Sequence, residues 1–295
     1  MIAELSQSSL SSVDRSQLHR IELARGSWAA GQIDNAFLLV EDVKREAMSP
    51  RVMAECFVAE AAFRIDSGDS QGSAESLNLA APVIDHASLS VQGAFYHQRG
   101  RIKKEAGDLD GAFTDYAGAE ACWEEIGATE KVGAVALNLA GVCLRLSDFP
   151  RAHEYANKAI ALFTKTNSFY ISQAHDTEAQ IYLEEGRLRA ALASIDLALG
   201  LAGENDGWRK SFTLTKDRIL GAIIDLIHVA GIKLNDLQKE MVRCALIRRQ
   251  GNLTRASGDV GMSRKGVSDL IDRNKDLEPF RVERRVRHKT LIKKT

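Results

Sequence analysis

The segment AGDLDGA, residues 106–112, decides how this chain folds. Gly107 suits a tight chain reversal, and five residues later a small residue, Ala112, stands inside a new run of helical apolar spacing. Four other segments share this build: AGQIDNA (30–36), SGDSQGS (67–73), LSDFPRA (146–152) and EGRLRAA (185–191). The small residues that close the five segments are Ala36, Ser73, Ala112, Ala152 and Ala191, at spacings of 37, 39, 40 and 39. Recurrence at one period is the mark of an array of like units.

Each segment lies between two stretches with helical periodicity. Twelve residues before each closing residue stands another small one: Ala24, Ala61, Gly100, Ala140 and Ala179. Seven after it come Val43, Ala80, Ala119, Ala159 and Ala198. Small side chains at fixed points let two helices cross at an axial distance of about 8–10 Å. The pattern predicts helix pairs stacked into a solenoid. It resembles the tetratricopeptide repeat (TPR) in a long form, with about 40 residues per unit against the usual ~34. The resemblance covers residues 15–207 and implies an all-α, right-handed solenoid of about five helix pairs, with the first helix of each pair lining a concave face. In repeats three to five that face holds His97, Arg101, Lys104, Asn138, Arg145 and Gln180. The resemblance implies a protein or peptide ligand there, Asn138 bonding its backbone and the cations its carboxylates. The plainer reading of the same six residues is a solvated polar surface.

Bulk properties agree with a helical chain. Of 295 residues only four are proline and 6% aromatic. The four cysteines, Cys56, Cys122, Cys143 and Cys244, have no metal-ligand spacing and read as thiols of a reducing compartment. Residues 1–14 are serine-rich, lack the basic and apolar parts of a signal peptide, and read as a disordered tail. The run ILGAIIDLIHVAGI (219–232) is too short to span a bilayer and reads as a buried helix. It belongs to a segment, 208–233, with two uses open to it: capping the last repeat, or forming a dimer seam.

Charge is divided unevenly. Residues 241–295 carry 15 Lys and Arg against 6 Asp and Glu, while the remainder carries 24 against 34. A basic end on an acidic body points to a polyanionic partner, nucleic acid being the commonest. The basic end also has its own helical pattern. LNDLQKEMVRCALIRRQ (234–250) places Leu237, Met241, Ala245 and Leu246 on one face, with Asn235 or Asp236 as its cap. Gly251 ends this helix and Asn252 caps a short second one, whose Leu253, Ala256, Ser257 and Val260 turn inward. Gly261 makes a tight turn, Ser263 caps a third helix, and Val267, Leu270 and Ile271 bury its inner face. Three helices in this order, over 234–280, form a helix-turn-helix.

Gly251, Asn252, Ala256, Ser257, Val260, Gly261, Met262, Ser263, Arg264 and Val267 together resemble the Fis-type DNA-binding domain of bacterial regulators. The resemblance implies double-stranded DNA as partner and a homodimer as the binding form. Arg264 and Lys265, with Ser263 and Ser268 beside them, are the candidate base-reading residues, and Asn252, Thr254 and Arg255 the candidate phosphate contacts. The basic tail, 281–295, adds Arg284, Arg285, Arg287 and Lys289, suited to salt-dependent phosphate binding, on a segment that reads equally as a strand or a docking segment. Gly258 and Gly266 interrupt the two short helices, and Asp269 and Asp272 put acid on the outer face.

No nucleophile is paired with a base and no histidines have zinc-ligand spacing, so neither an enzyme nor a cofactor or metal site is expected. The two resemblances imply a cytoplasmic bacterial regulator whose solenoid binds a protein or peptide and whose C-terminal unit binds DNA. The alternative is a non-enzymatic scaffold or adaptor whose helix-turn-helix is vestigial or docks a protein. No membrane partner is expected in either case.

Overall fold

The five turn segments do what their composition demands. Gly31, Gly68, Gly107 and Gly186 all adopt positive φ, and so does Ser147 in the segment that lacks glycine. At Gly107 (φ 85°) the backbone N–H bonds carbonyls of the preceding turn, ending one helix, and the next residue begins the second. In three segments that next residue is an aspartate acting as N-cap. Asp69, Asp108 and Asp148 accept hydrogen bonds from the backbone N–H of Gly72, Gly111 and Arg151 at 2.8, 2.9 and 3.1 Å. A left-handed residue followed by a capping carboxylate stops one helix and starts another within a few residues.

The computed structural model describes residues 11–231 and 233–280. Among these there is no strand. Five helix pairs follow one another: α1 (Ser12–Ala29) with α2 (Ile33–Glu46), α3 (Pro50–Asp66) with α4 (Ser70–Ala80), α5 (Leu89–Ala106) with α6 (Leu109–Glu125), α7 (Thr129–Arg145) with α8 (Phe149–Thr166), and α9 (Ile171–Glu184) with α10 (Leu188–Leu201). A 3₁₀ turn, Ala81–His86, leads from the second pair to the third. Then come α11 (Asp206–Val229), α12 (Leu234–Arg248), α13 (Leu253–Asp259), α14 (Arg264–Arg273) and a closing 3₁₀ turn, Lys275–Phe280. No described helix is long and apolar enough to cross a membrane.

All fifteen residues singled out by the repeat are buried. At Gly100, the one glycine among them, an added Cβ would lie 2.9 Å from the Tyr116 ring; outside the fifteen, one at Gly133 would lie 2.8 Å from the Phe163 ring. First helices of successive pairs also pack on one another, α1 on α3, α3 on α5 and α7 on α9, which stacks the pairs in one direction. The core runs along the solenoid as successive clusters: Ile21, Val40 and Phe63 early, Phe95 and Leu77 next, then Tyr116 and Leu139, and Phe163.

Helix α1 starts at Ser12, inside the expected tail, because the Ser11 side chain accepts the Asp14 N–H at 3.0 Å. The chain divides into two compact units between Ile219 and Leu220, within α11, whereas the composition put boundaries at 207 and 233. The first half of α11 caps the last pair. Phe212, Thr215 and Ile219 are buried, Lys216 pairs with Asp196 at 2.7 Å, Arg218 pairs with Glu184 at 3.0 Å, and Trp208 stacks on Phe169. The second half corrects the expectation of a buried helix. Ile224 is 64% exposed and Val229 84%, with Leu220 and Leu226 also open.

The second unit has its own core: Val242, Ala245 and Leu246 of α12, Ala256 of α13, Val267, Leu270 and Ile271 of α14, and Leu277. Two details of α12 differ from the sequence reading. Its N-cap is Lys233, with no side-chain cap bond, so neither Asn235 nor Asp236 serves. Val242, not Met241, faces the core. Ala245 and Leu246 are buried as read, so the difference is confined to this one position, with Met241 left 45% exposed.

Ser147 carries φ 59° without being glycine, a conformation that costs an L-residue about 1–2 kcal/mol. Ser147→Gly is therefore expected to raise stability by about 1 kcal/mol, and Gly107→Ala to lower it by a similar amount, read as opposite shifts of the urea midpoint.

Candidate functional site

His97, Arg101 and Lys104 stand at i, i+4 and i+7 on α5 and so share a face. Asn138 and Arg145, seven apart on α7, face the same way. The structure brings four of these residues into one bonded set. Asn138 Oδ1 accepts from Lys104 Nζ at 2.9 Å, and Asn138 Nδ2 lies 3.2 Å from His97 Nε2 and donates to the Ala134 carbonyl at 3.1 Å. Arg145 Nη1 donates to the Lys104 carbonyl at 2.6 Å. Arg101 turns to Asp66 (2.9 Å) and Gln98 (3.1 Å). Gln180 also stands outside the set, donating to Asp176 Oδ2 on its own helix at 2.8 Å.

Packing beneath the set explains its geometry. Two α6 rings lie against α5 where that helix has only Gly93 and Gly100: a Cβ at Gly93 would strike the Trp123 indole, and one at Gly100 the Tyr116 ring. His97, between the two glycines, has Tyr116 and Trp123 at centroid distances of 5.7 and 5.6 Å. Burial, then the charges of Arg101 and Lys104, push the His97 pKa down to about 4. The ring is thus neutral at pH 7, and an unprotonated Nε2 is the acceptor that the Asn138 amide requires. Burial also lowers the Lys104 pKa, and the Tyr116 hydroxyl is buried without a hydrogen-bond partner. Lys104 and Arg145 have no carboxylate in ion-pair range among the described residues. The face can attract an anion; Asn138 has both amide hydrogens engaged and can still accept a second hydrogen bond at Oδ1 from a peptide N–H.

A neighbouring feature escaped the sequence reading. Asp115 of α6 is buried and gripped from α5 by Arg99, at 2.8 and 2.5 Å, and by Lys103 at 2.8 Å. Its position, three residues after Ala112 and four before Ala119, puts a carboxylate on the inward face, and that phase was the available signal. Glu60 is held in the same way by Lys44 (2.9 Å) and Arg64 (2.8 Å). No group of three or more His, Cys, Asp or Glu that could hold a metal ion occurs among the described residues.

In the second unit Asn252 caps α13 by accepting the Arg255 N–H at 3.2 Å, and Ser263 caps α14 by accepting the Gly266 N–H at 3.0 Å. Gly261, at φ 64°, makes the corner between them. Thr254, Arg255, Arg264 and Lys265 are exposed and Ser268 is half-buried. Arg264 and Lys265 stand at the start of α14 with no ion-pair partner among the described residues. Asp259 at the end of α13 is paired with Arg249, both bonds 2.8 Å, so its charge is neutralised locally. Arg284, Arg285, Arg287 and Lys289 lie outside the described residues.

Residues 92–165, spanning α5 to α8, match the sequence family described as tetratricopeptide repeat. No curated protein sequence matches the chain. Among solved structures, the apo form of RapI has a TM-score of 0.59 at 10% identity, over 88% of this chain and 99% of its own. A Rap protein complexed with Competence and Sporulation Factor has 0.58 at 15% identity, over 95% of this chain and 80% of its own. A signal-transduction ATPase with a tetratricopeptide repeat sensor, from Pyrococcus horikoshii, has 0.57 at 14%, over 90% of this chain and 44% of its own. At these identities the likeness is one of fold, a TPR-like helical solenoid.

His97 binds its proton near pH 4 in the folded chain and near pH 6.5 once unfolded, so the unfolded state holds more protons between those values. Stability from this residue is complete above about pH 6.5 and falls as the pH drops towards 4, by up to about 3 kcal/mol. His97→Gln should flatten that part of the profile, measured as the difference in urea unfolding between about pH 7.5 and 4.5 for the two proteins.

Proposed function

We propose that this chain is a non-enzymatic interaction protein whose solenoid takes up a protein or peptide partner along the face formed by its first helices. The observation that carries this reading is the set on α5 and α7, where Lys104 and Arg145 lack carboxylate partners beside the Asn138 amide. Nothing on that face pairs a nucleophile with a base: His97 spends its Nε2 on Asn138 and is held neutral. A protein of like fold, the Rap protein, is found in complex with a named factor, which favours partner binding as the use of the solenoid here. An acidic segment fits the unpaired cations, and the Asn138 amide suits an extended backbone.

The second unit supports a further reading, that the same chain docks on DNA. It rests on two short helices meeting at the Gly261 corner, with Arg264 and Lys265 opening α14 unpaired. That is the disposition of a Fis-type helix-turn-helix, whose third helix meets base edges with its first turn. With it the chain would be a cytoplasmic regulator joining a partner to DNA; without it, an adaptor whose C-terminal unit docks a protein. A reader of two-fold DNA sites works as a homodimer, and the apolar side chains left open on the second half of α11 are where a second copy would pair.

The two readings separate by experiment. Lys104→Ala with Arg145→Ala should weaken partner binding at least tenfold, measured by titration calorimetry, while leaving DNA affinity unchanged. Arg264→Ala with Lys265→Ala should cut affinity for duplex DNA ten- to a hundredfold, in line with about 1–3 kcal/mol for a good base contact, and reduce the steepness of its salt dependence. Unchanged DNA binding in the second variant, or none in the parent, removes the DNA reading and leaves the adaptor.

A further inference from the structure

Four first helices close on a second cleft of about 360 Å³. Its apolar floor is Val58, Ala62 and Phe63 of α3 with Val91 and Ala94 of α5, and Trp28 of α1 forms one wall, stacked on Phe63 at a centroid distance of 4.8 Å. Lys131 of α7 closes the rim. Trp123 is near both this cleft and the set around Asn138: its indole has the His97 ring at 5.6 Å and the Lys131 ammonium at 5.4 Å.

The floor is open for want of side-chain volume. Ala62 and Ala94 are only half-buried, and the space they leave is within the size range of small-ligand and side-chain pockets. Protein interiors are close-packed, so an apolar hollow of this size favours an apolar occupant. Charge at the rim narrows the choice. The two terminal nitrogens of Arg25 are engaged by Glu22 and by Glu55, the latter at 3.1 Å. Lys131 meets only the Ser90 hydroxyl, at 3.2 Å, and the Trp123 ring, with no carboxylate in ion-pair range among the described residues. Desolvation, then the charge of Arg25, lowers its pKa, outweighing the opposite pull of Glu22, which also lines the cleft and is bonded to Arg25.

We infer that this cleft is a specificity subsite for a peptide segment with an apolar residue two positions from an acidic one. The apolar side chain fills the hollow between Trp28 and Ala94, and the Asp or Glu carboxylate pairs with Lys131. In an extended chain, residues i and i+2 point the same way, about 7 Å apart, so one face of the ligand meets both elements. The inference rests on the reading of the solenoid as peptide-binding, and adds the feature by which it selects a sequence. The rest of such a segment continues past Trp123 towards Lys104 and Asn138.

The test uses the full chain and N-acetylated, C-amidated hexapeptides of serine and glycine carrying one leucine and one glutamate two positions apart. Titration is followed by calorimetry and by methyl resonances of Ala62, Val91 and Ala94. Binding is expected to move those methyls and to weaken at least tenfold when the peptide's leucine becomes alanine, when its glutamate becomes glutamine, or when the protein carries Lys131→Glu. Ala62→Leu fills the hollow and should abolish binding; if that variant does not fold, Lys131→Glu and the altered peptides decide alone. Should the peptides bind with shifts confined to Asn138 and Lys104 and no effect of Lys131→Glu, the subsite falls while the peptide-binding reading stands. Equal binding by a peptide without glutamate but with a free C-terminal carboxylate after leucine overturns the spacing. If neither these peptides nor an all-acidic hexapeptide binds anywhere, both proposals fall.

Discussion

The close approach of α6 to α5 sets up everything that the middle of this solenoid can do. Gly93, His97 and Gly100 share one face of α5, and only glycine lets the Trp123 and Tyr116 rings lie flat on it. Once seated, the two rings enclose His97, and that enclosure holds the imidazole neutral. A neutral imidazole is an acceptor, so the Asn138 amide turns its nitrogen to His97 and its oxygen to Lys104. One packing constraint thus fixes a tautomer, an amide orientation and a lysine. Volume at position 93 or 100 would undo the whole set without touching any of its polar atoms.

The same economy governs the turns. A left-handed residue and a capping aspartate are local devices, complete within seven residues; the first recurs at every pair and the second at three of the five. Features of that kind are legible in a sequence because their causes lie beside them. The small residues are legible for a related reason: crossing points recur at the period of the repeat, and all fifteen are buried. The polar set was only half legible. Helical phase placed His97, Lys104, Asn138 and Arg145 on one face, but their bonds join residues 34 and 41 apart, across two pairs. Gln180 has the same phase and a nearer partner, Asp176, so it stays on its own helix. The cleft beside Lys131 was not legible at all, since it needs four helices to make it.

Where composition misled, hydrophobicity had been taken for burial. The run from Ile219 to Ile232 is the longest apolar run in the chain, yet among its described residues only Ile219 is buried, with Ile224, Leu226 and Val229 open. A helix at the end of an array has one neighbour rather than two, so an apolar sequence there need not be covered. In the second unit, by contrast, the pattern was short and well punctuated. Asn252, Gly261 and Ser263 act where their residue types demand, and the core of Ala256, Val267, Leu270 and Ile271 follows from the spacing between them. Only the helix without a side-chain cap, α12, was misread, at its start and in the phase of Met241 and Val242.

Net charge gives a poor account of the solenoid's inner face. Residues 1–240 carry an excess of ten acidic residues. Much of the acid on first helices and at their contacts is already matched: Glu55 by Arg25, Glu60 by Lys44 and Arg64, Asp66 by Arg101, Asp115 by Arg99 and Lys103. Buried carboxylates so tightly held cost much to separate from their partners and contribute little field beyond them. Three cations of the first helices remain without a carboxylate in ion-pair range among the described residues: Lys104, Arg145 and Lys131. Glu22 lines the cleft beside Lys131 but is bonded to Arg25, and salt screens the acidic surplus over about 10 Å. An acidic peptide is therefore repelled by the protein at long range and attracted at contact. That combination slows chance encounter and leaves selection to fit, which is the property expected of a face that must choose one segment among many.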